Sequence, residues 1–381
     1  MAVSIMRSFL GAVFMVLMLP ALLNNGNGHA QLFQPQVIEN YIETNGHGQD
    51  QDGGEGDEGD EGDQNIQIAA AVNDDRDWFE EEIDSDVKWC LALNRVEFQG
   101  SSGIQNLKVL ATRRFGKALV IDGHLQCTEF DDYIYHESLV HPALLVHNEP
   151  KSVFIMGGGG GSAAREVLKH RNIEKVIICD IDREIVNVYR QHITANHEAF
   201  NDERLQIVYN EAMAELENSE EKFDIILGDL SDPKESGPSN NLYTRSFYED
   251  VAKPKLKENG LFVTQAGPAG ILTHKAVFSP IYNTLKQVFT HLVAYTTQVP
   301  SYGDSCGWIL ASNEPIILDS EQLDIRIGER INGELRYLDG LVIAASTVLN
   351  KTMKNSLMEE TCILTEENVG FVRGRGVRND T

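Results

Sequence analysis

Between Trp78 and Phe130 the apolar residues come in short bursts broken by polar or glycine-bearing turns. The bursts are Trp78-Phe79, Trp89 to Leu93, Val96 to Ser102, Leu107 to Ala111, Ala118 to Ile121 and Leu125 to Phe130. With Phe115-Gly116-Lys117 and Asp122-Gly123-His124 turning the chain, this pattern predicts a small antiparallel sheet. Asp131 to Leu145 then reads as a helix on which Asp131 and Tyr135, four positions apart, can share a face. Further on, strand-length apolar runs recur at Val153 to Met156, Val176 to Ile178, Leu205 to Tyr209 and Phe223 to Leu227. Gly260 to Gln265 and Trp308 to Ala311 are later strands, and Arg183 to His192 and Asp319 to Arg330 are helices.

The stretch from Lys151 to Asp182 organises the rest. A strand runs into five glycines, Gly157 to Gly161, and Ser162 opens a helix with Ala164, Val167 and Leu168 on one face. A second strand follows and ends at Asp180. Strand, glycine turn, helix, strand and terminal acid make the first βαβ unit of a nucleoside-binding, Rossmann-like sheet. The expected fold class is therefore α/β. A small N-terminal antiparallel β domain (residues 74–130) precedes a mostly parallel, methyltransferase-type sheet flanked by helices (residues 131–350), with a C-terminal tail over residues 351–381. The backbone of Gly157, Gly159 and Gly161 can approach a ligand closely. Asp180, roughly 20 residues past the turn, can accept hydrogen bonds from ribose hydroxyls.

Composition changes the picture mainly at the ends. Residues 1–30 carry Arg7, an apolar core from Phe9 to Leu23 and small residues before Gln31. That is the pattern of a signal peptide, or of an anchor if uncleaved. It points to the secretory pathway or a membrane attachment, while the odd count of five cysteines sits uneasily with an oxidising compartment. Residues 31–73 are an acidic, glycine-rich linker with nothing to bury and are expected to be disordered. The net charge of −26, from 58 acidic and 32 basic side chains, argues against nucleic acid as a partner and is compatible with cationic small molecules. The scattered cysteines, without a CxxC pair, suggest no zinc site, and no metal is expected.

In an open α/β sheet the ligand crevice lies at the carboxyl ends of the strands, where Asp180, Glu211 and Asp229 converge. A methyltransferase is the default for such a sheet. The segment Asp229-Leu230-Ser231-Asp232-Pro233 suggests something more particular, two carboxylates beside a nucleoside pocket. A sulfonium and a protonated amine ~4 Å apart repel by about 4 kcal/mol at an effective dielectric near 20. Fixed carboxylates would cancel that repulsion and accept protons from the amine.

From about Asp77 to Lys351 the chain resembles the spermidine synthase family of aminopropyltransferases. The segments that carry the likeness include WFEEEIDSDVKWCLALNRV, RRFGKALVIDGHLQCTEFDDYIYHESLVHPAL, KSVFIMGGG, GSAAREVLKH, GDLSDP and LYTRSFYED. Two further phrases, TQAGPAG and FSPIYNTLKQVF, are most similar to the thermospermine-forming branch in plants. The resemblance implies transfer of the aminopropyl group of decarboxylated S-adenosylmethionine, a co-substrate and not a tightly bound cofactor, to a small-molecule polyamine. Spermidine as acceptor, giving thermospermine, is the leading expectation, and spermidine or spermine synthesis is the alternative. It further implies that Gln105 touches the co-substrate, Asp180 binds its ribose and Glu211 stands where an aspartate usually contacts adenine. Asp229 would orient and deprotonate the amine with Asp232 assisting. Tyr135 would lie beside the transferred group, and Gln265 and Tyr302 would line the acceptor side. A homodimer or homotetramer is implied as well. One position departs: Gly160 stands where the family has Asp or Glu, which opens the alternative of a catalytically weakened polyamine- or nucleoside-binding homologue.

Overall fold

The computed structural model describes residues 77–371 apart from residues 85, 235 and 236. The predicted signal or anchor, the acidic linker and the last ten residues lie outside the described residues. No helix among the described residues is long and apolar enough to cross a membrane.

Five strands form the first sheet: β1 (Trp78–Asp84), β2 (Val87–Ser101), β3 (Asn106–Thr112), β4 (Lys117–Ile121) and β5 (His124–Thr128). They pair antiparallel in sequence order. Strand β2 runs unbroken through the two segments that its sequence suggests, absorbing Asn94 and Glu97 by shifts of register against β3. Strand β5 stops at Thr128 and not at Phe130, because Asp131 turns back and accepts the hydroxyl of Thr128.

The second sheet has seven strands: β6 (Ser152–Gly157), β7 (Lys175–Asp180), β8 (Leu205–Tyr209), β9 (Phe223–Asp229), β10 (Leu256–Pro268), β11 (His291–Val299) and β12 (Asp304–Ser312). Their order is β11-β12-β10-β9-β6-β7-β8, parallel from β10 to β8 and antiparallel at β12 and β11. Nine α-helices occur among the described residues: α1 (Asp132–Val146), α2 (Ser162–Leu168), α3 (Arg183–His192), α4 (His197–Phe200), α5 (Ala212–Asn218), α6 (Phe278–Lys286), α7 (Ser320–Arg330), α8 (Gly340–Ser346) and α9 (Lys351–Glu359).

Alternation along β6 explains why the central strands are apolar without a polar face. Val153 and Ile155 join one core, with α1, α2 and the inner face of the first sheet. Phe154 and Met156 join the other, with α5, α6 and α9. A parallel strand covered on both faces needs an apolar residue at every position. The first sheet is likewise buried twice, since Leu107, Val109, Leu119 and Ile121 pack on Ile185 and Val188 of α3.

The packed chain continues past residue 350, where a tail was expected. Met353 and Leu357 of α9, then Leu364 and Val369, are buried in the core. Burial of a large aliphatic side chain contributes roughly 1.5–3 kcal/mol, which helps hold this segment against the core.

From β6 the chain winds outward through β7 and β8, then returns to β9 on the other side of β6. The order reverses between β6 and β9, with Gly157 opposite Asp229 in the register. That reversal opens a crevice at the strands' carboxyl ends.

Candidate active site

The crevice is one cavity shared by both sheets. Its walls include Gln105, Tyr135, Gly157, Gly159, Asp180, Glu211, Asp229, Asp232, Gln265 and Tyr302. Thus every sequence-predicted site residue lines a single cavity except Gly161. That glycine sits behind the wall, at the N-cap of α2 with φ of 82° and the Phe200 ring against its Cα.

The glycine turn works by closeness. A Cβ on Gly157 would stand 2.5 Å from the main-chain oxygen of Asp229, and one on Gly159 would stand 2.6 Å from Asp180 Oδ2. Only hydrogen at both positions lets the loop N–H groups face the acids. The N–H of Gly159 donates to Asp180 Oδ2 at 2.8 Å, and that of Asp182 donates to Asp180 Oδ1 at 2.9 Å. Burial pushes the Asp180 carboxyl up, while those two N–H groups pull the other way. Each oxygen keeps a lone pair for a ligand. Asp182, two residues on, accepts the Ser102 hydroxyl at 2.6 Å, and Ser102 Oγ in turn accepts the N–H of Gln105 at 3.0 Å. The turn that carries Gln105 is thereby fastened to the loop after β7. Glu211 follows β8 and is exposed at the rim.

Asp229 ends β9, and its main-chain oxygen accepts the N–H of Gly158 at 3.1 Å. Tyr135, on α1, packs edge-on against Tyr302 and Trp308, with ring centroids 6.0 and 5.4 Å away. Burial first, and the charge of Asp229 second, hold its phenol well above its ordinary range. It is a neutral donor and an apolar wall. The Tyr302 hydroxyl donates to the main-chain oxygen of Gln126, which holds that ring across the cavity.

Gln265 has a supporting part. Its amide donates to Leu230 O at 2.7 Å and to the Tyr243 hydroxyl at 2.6 Å, and its oxygen accepts from Gly267 N at 2.7 Å. These bonds brace the turn between Asp229 and Asp232. Asp131 and Tyr135 both meet the segment of Ser301 and Tyr302. Asp131 precedes α1 and accepts the N–H and hydroxyl of Ser301 at 2.7 and 2.9 Å, fixing the segment that delivers Tyr302.

Several lining residues escape a reading of the sequence. Glu81 of β1 and Asp304 of β12 add two carboxylates to the wall, and Tyr189 and Cys127 meet beside Gly160 with 2.8 Å between hydroxyl and sulfur. Burial pushes the Cys127 thiol up to about 12. The most consequential is His136, whose Nε2 lies 3.6 Å from Asp229 Oδ2. Its place one turn after Asp132 on a helix is the signal that could have found it. Among the described residues no group of three or more His, Cys, Asp or Glu side chains is disposed to hold a metal ion.

The cavity therefore joins a buried aspartate behind a glycine turn, a neutral tyrosine and several further carboxylates at the end of a parallel sheet. Residues 132–319 match the spermine/spermidine synthase domain, and residues 77–129 match the spermidine synthase tetramerisation domain. The chain is 56% identical over 300 residues to the thermospermine synthase ACAULIS5 of Arabidopsis thaliana, covering 79% of this chain and 88% of that protein. It is 37% identical to a polyamine aminopropyltransferase of Aeropyrum pernix over 77% of this chain and 95% of that one. Among solved structures, a spermidine synthase in complex with the transition-state analogue AdoDATO superposes with a TM-score of 0.68 at 29% identity, covering 74% of this chain and 95% of that chain. The spermidine synthase from Thermotoga maritima superposes with a TM-score of 0.66 at 28% identity, covering 74% and 94%.

Proposed function

The chain belongs to the spermine/spermidine synthase family of polyamine aminopropyltransferases, and on that premise we propose that it makes thermospermine. It transfers the aminopropyl group of decarboxylated S-adenosylmethionine to spermidine and releases methylthioadenosine. The choice of spermidine is supported by the 56% identity to a thermospermine synthase. The observation that carries the mechanism is that Asp180, Tyr135, Asp229 and Asp232 line one cavity.

In this reading Asp180 accepts the ribose hydroxyls, with Gln105 and the backbone of Gly157 and Gly159 around the nucleoside. Glu211 reaches the adenine from the rim. Asp229 accepts a hydrogen bond from the attacking amine and turns its lone pair toward the carbon bonded to sulfur, with Asp232 assisting. Tyr135 covers that carbon, and Tyr302 lines the acceptor's path. The nitrogen lone pair forms the new C–N bond as the C–S pair returns to sulfur, so the sulfonium charge is lost as an ammonium forms. The carboxylates offset the repulsion between two cations, about 4 kcal/mol at ~4 Å, and orientation supplies much of the remainder.

Purified protein given the co-substrate with putrescine, spermidine or spermine in turn should consume spermidine. Its tetraamine should elute with thermospermine and apart from spermine. Preferred consumption of putrescine would instead make it a spermidine synthase. A weakened homologue is favoured by one observation: at Gly160, where the family has an acid, the cavity wall is the Tyr189 ring. Turnover slow enough to be lost against a no-enzyme control would support that reading. The match of residues 77–129 to a tetramerisation domain supports a homodimer or homotetramer, decided by light scattering. A membrane partner enters only if residues 1–30 are retained, which sequencing the N-terminus of the mature protein decides.

A further inference from the structure

We propose that His136 is a standing imidazolium that acts through Asp229 to keep the attacking amine neutral, a positioning residue for the transfer. The inference rests on the aminopropyl-transfer reading above.

The geometry places a carboxylate within ion-pair distance of each ring nitrogen. His136 is buried, and its Nδ1 lies 2.9 Å from the main-chain oxygen of Asp132 and 2.9 Å from Asp132 Oδ1. Both are acceptors only, so Nδ1 carries hydrogen. Nε2 faces a second carboxylate, Asp229 Oδ2, at 3.6 Å. A bare Nε2 would point its lone pair at that anion, whereas a protonated one meets it as an ion pair. Asp132 cannot swing away, because Arg165 binds its Oδ2 at 2.7 Å while also holding Glu166 at 2.9 Å and Asn196 at 2.6 Å. Glu166 is in turn held by Lys169 at 2.6 Å and lies 3.1 Å from His141 Nε2.

The groups around the ring agree. Asp132 and Tyr135 come from its own helix, and Asp229 from β9 with Asp232 in the turn beyond. Arg165 stands behind Asp132 on α2, Cys127 and Tyr189 lie on β5 and α3, and Tyr302 backs Tyr135. Burial opposes the charge on His136, yet Asp132 and then Asp229 push the ring up to about 10.

An imidazolium paired with Asp229 changes what that carboxylate can do. Alone, a buried carboxylate would hold the acceptor's terminal group as an ammonium, which has no lone pair. Beside a fixed positive charge the ammonium form is penalised and the neutral amine is not. The proton is lost to solvent before attack, and the freed lone pair then forms the C–N bond as the C–S pair returns to sulfur.

The test is the pH dependence of kcat for spermidine at saturating co-substrate, from pH 6.5 to 9.5, in the full chain and in His136→Gln. In the wild type kcat rises with pH and levels off at the lowered pKa of the bound amine. In His136→Gln that rise should move up by about one to two pH units, as for a unit charge a few ångströms away at an effective dielectric near 20. A tenfold to hundredfold deficit at low pH would then close at high pH. A deficit equal at every pH, or an unmoved rise, overturns the proposal, because a ring that only fills space cannot shift the profile. Methylthioadenosine binding by calorimetry confirms that the variant is folded. Should it not fold, Asp132→Asn, which removes the negative charge beside Nδ1 and keeps an acceptor there, is read in the same way. Wild-type protein that releases no methylthioadenosine refutes the transfer reading itself, and is distinct from either outcome in the variant.

Discussion

Replacing Gly160 by Glu would supply the acid that the family resemblance leads one to expect there, and the structure predicts that the single change damages the protein. A Cβ there would stand 2.5, 2.8 and 2.9 Å from three ring atoms of Tyr189. The ring has little freedom to retreat, being buried with its hydroxyl 2.8 Å from Cys127 Sγ. Overpacking of this kind costs about 1–3 kcal/mol. At roughly 2–4 °C per kcal/mol, Gly160→Glu should melt about 2–12 °C below the wild type in differential scanning fluorimetry. Tyr189→Ala opens the space but leaves a cavity, so it too is destabilised alone. The double variant should be more stable than the sum of the singles implies, with a coupling of about 0.5–3 kcal/mol. The benefit of the acid, a charge-assisted hydrogen bond of roughly 1.5–3 kcal/mol, should emerge only in that double variant, as a lower KM for the co-substrate. Wild-type stability in Gly160→Glu, or strictly additive singles, would refute the idea that Tyr189 occupies the place of the acid.

Other outcomes follow from the same geometry. Asp229→Asn should lower kcat by about 10²–10⁴-fold with methylthioadenosine affinity nearly unchanged, measured by product release and calorimetry; unchanged turnover would assign the base elsewhere. The ring of His136 is raised in the folded protein from 6.5 to about 10. Its stabilising effect is therefore complete below pH 6.5, declines as pH rises and is gone above about 10. Urea midpoints between pH 6 and 10 should fall more in the wild type than in His136→Gln, and equal slopes would contradict that sign. Leu364, fully buried beyond α9, should cost about 2–5 kcal/mol when cut to Ala, whereas a residue in a loose tail would cost almost nothing.

What could be read from the residues was what repeats locally. Five glycines between a strand and a helix, followed by a strand ending in Asp180, admit few folds, and the antiparallel sheet ahead of them announced itself through its turns. Strand β11 was missed because His291–Val299 mixes Thr, Gln and His with its apolar residues, and antiparallel pairing with β12 is what makes it a strand. Helix α9 was missed for a related reason: LysThrMetLysAsnSer shows little local apolar content, and Asn350, which accepts the N–H of Met353 at 3.0 Å, starts it against a core built much earlier in the chain. In the cavity, Asp180 and Asp229 were legible because strand ends carry ligands in such sheets. The meeting of His136 with Asp229 was not, since the fold alone brings that carboxylate to the ring from β9. Gln265 and Asp131 were legible as polar residues in the right region, but their bonds to backbone decide what they do. No local pattern encodes those partners.

The most direct measurement is the release of methylthioadenosine when the purified full chain is mixed with decarboxylated S-adenosylmethionine and spermidine. One methylthioadenosine is expected for each tetraamine formed, with both absent when spermidine is omitted. Intact co-substrate after prolonged incubation, in protein that binds methylthioadenosine, would contradict it.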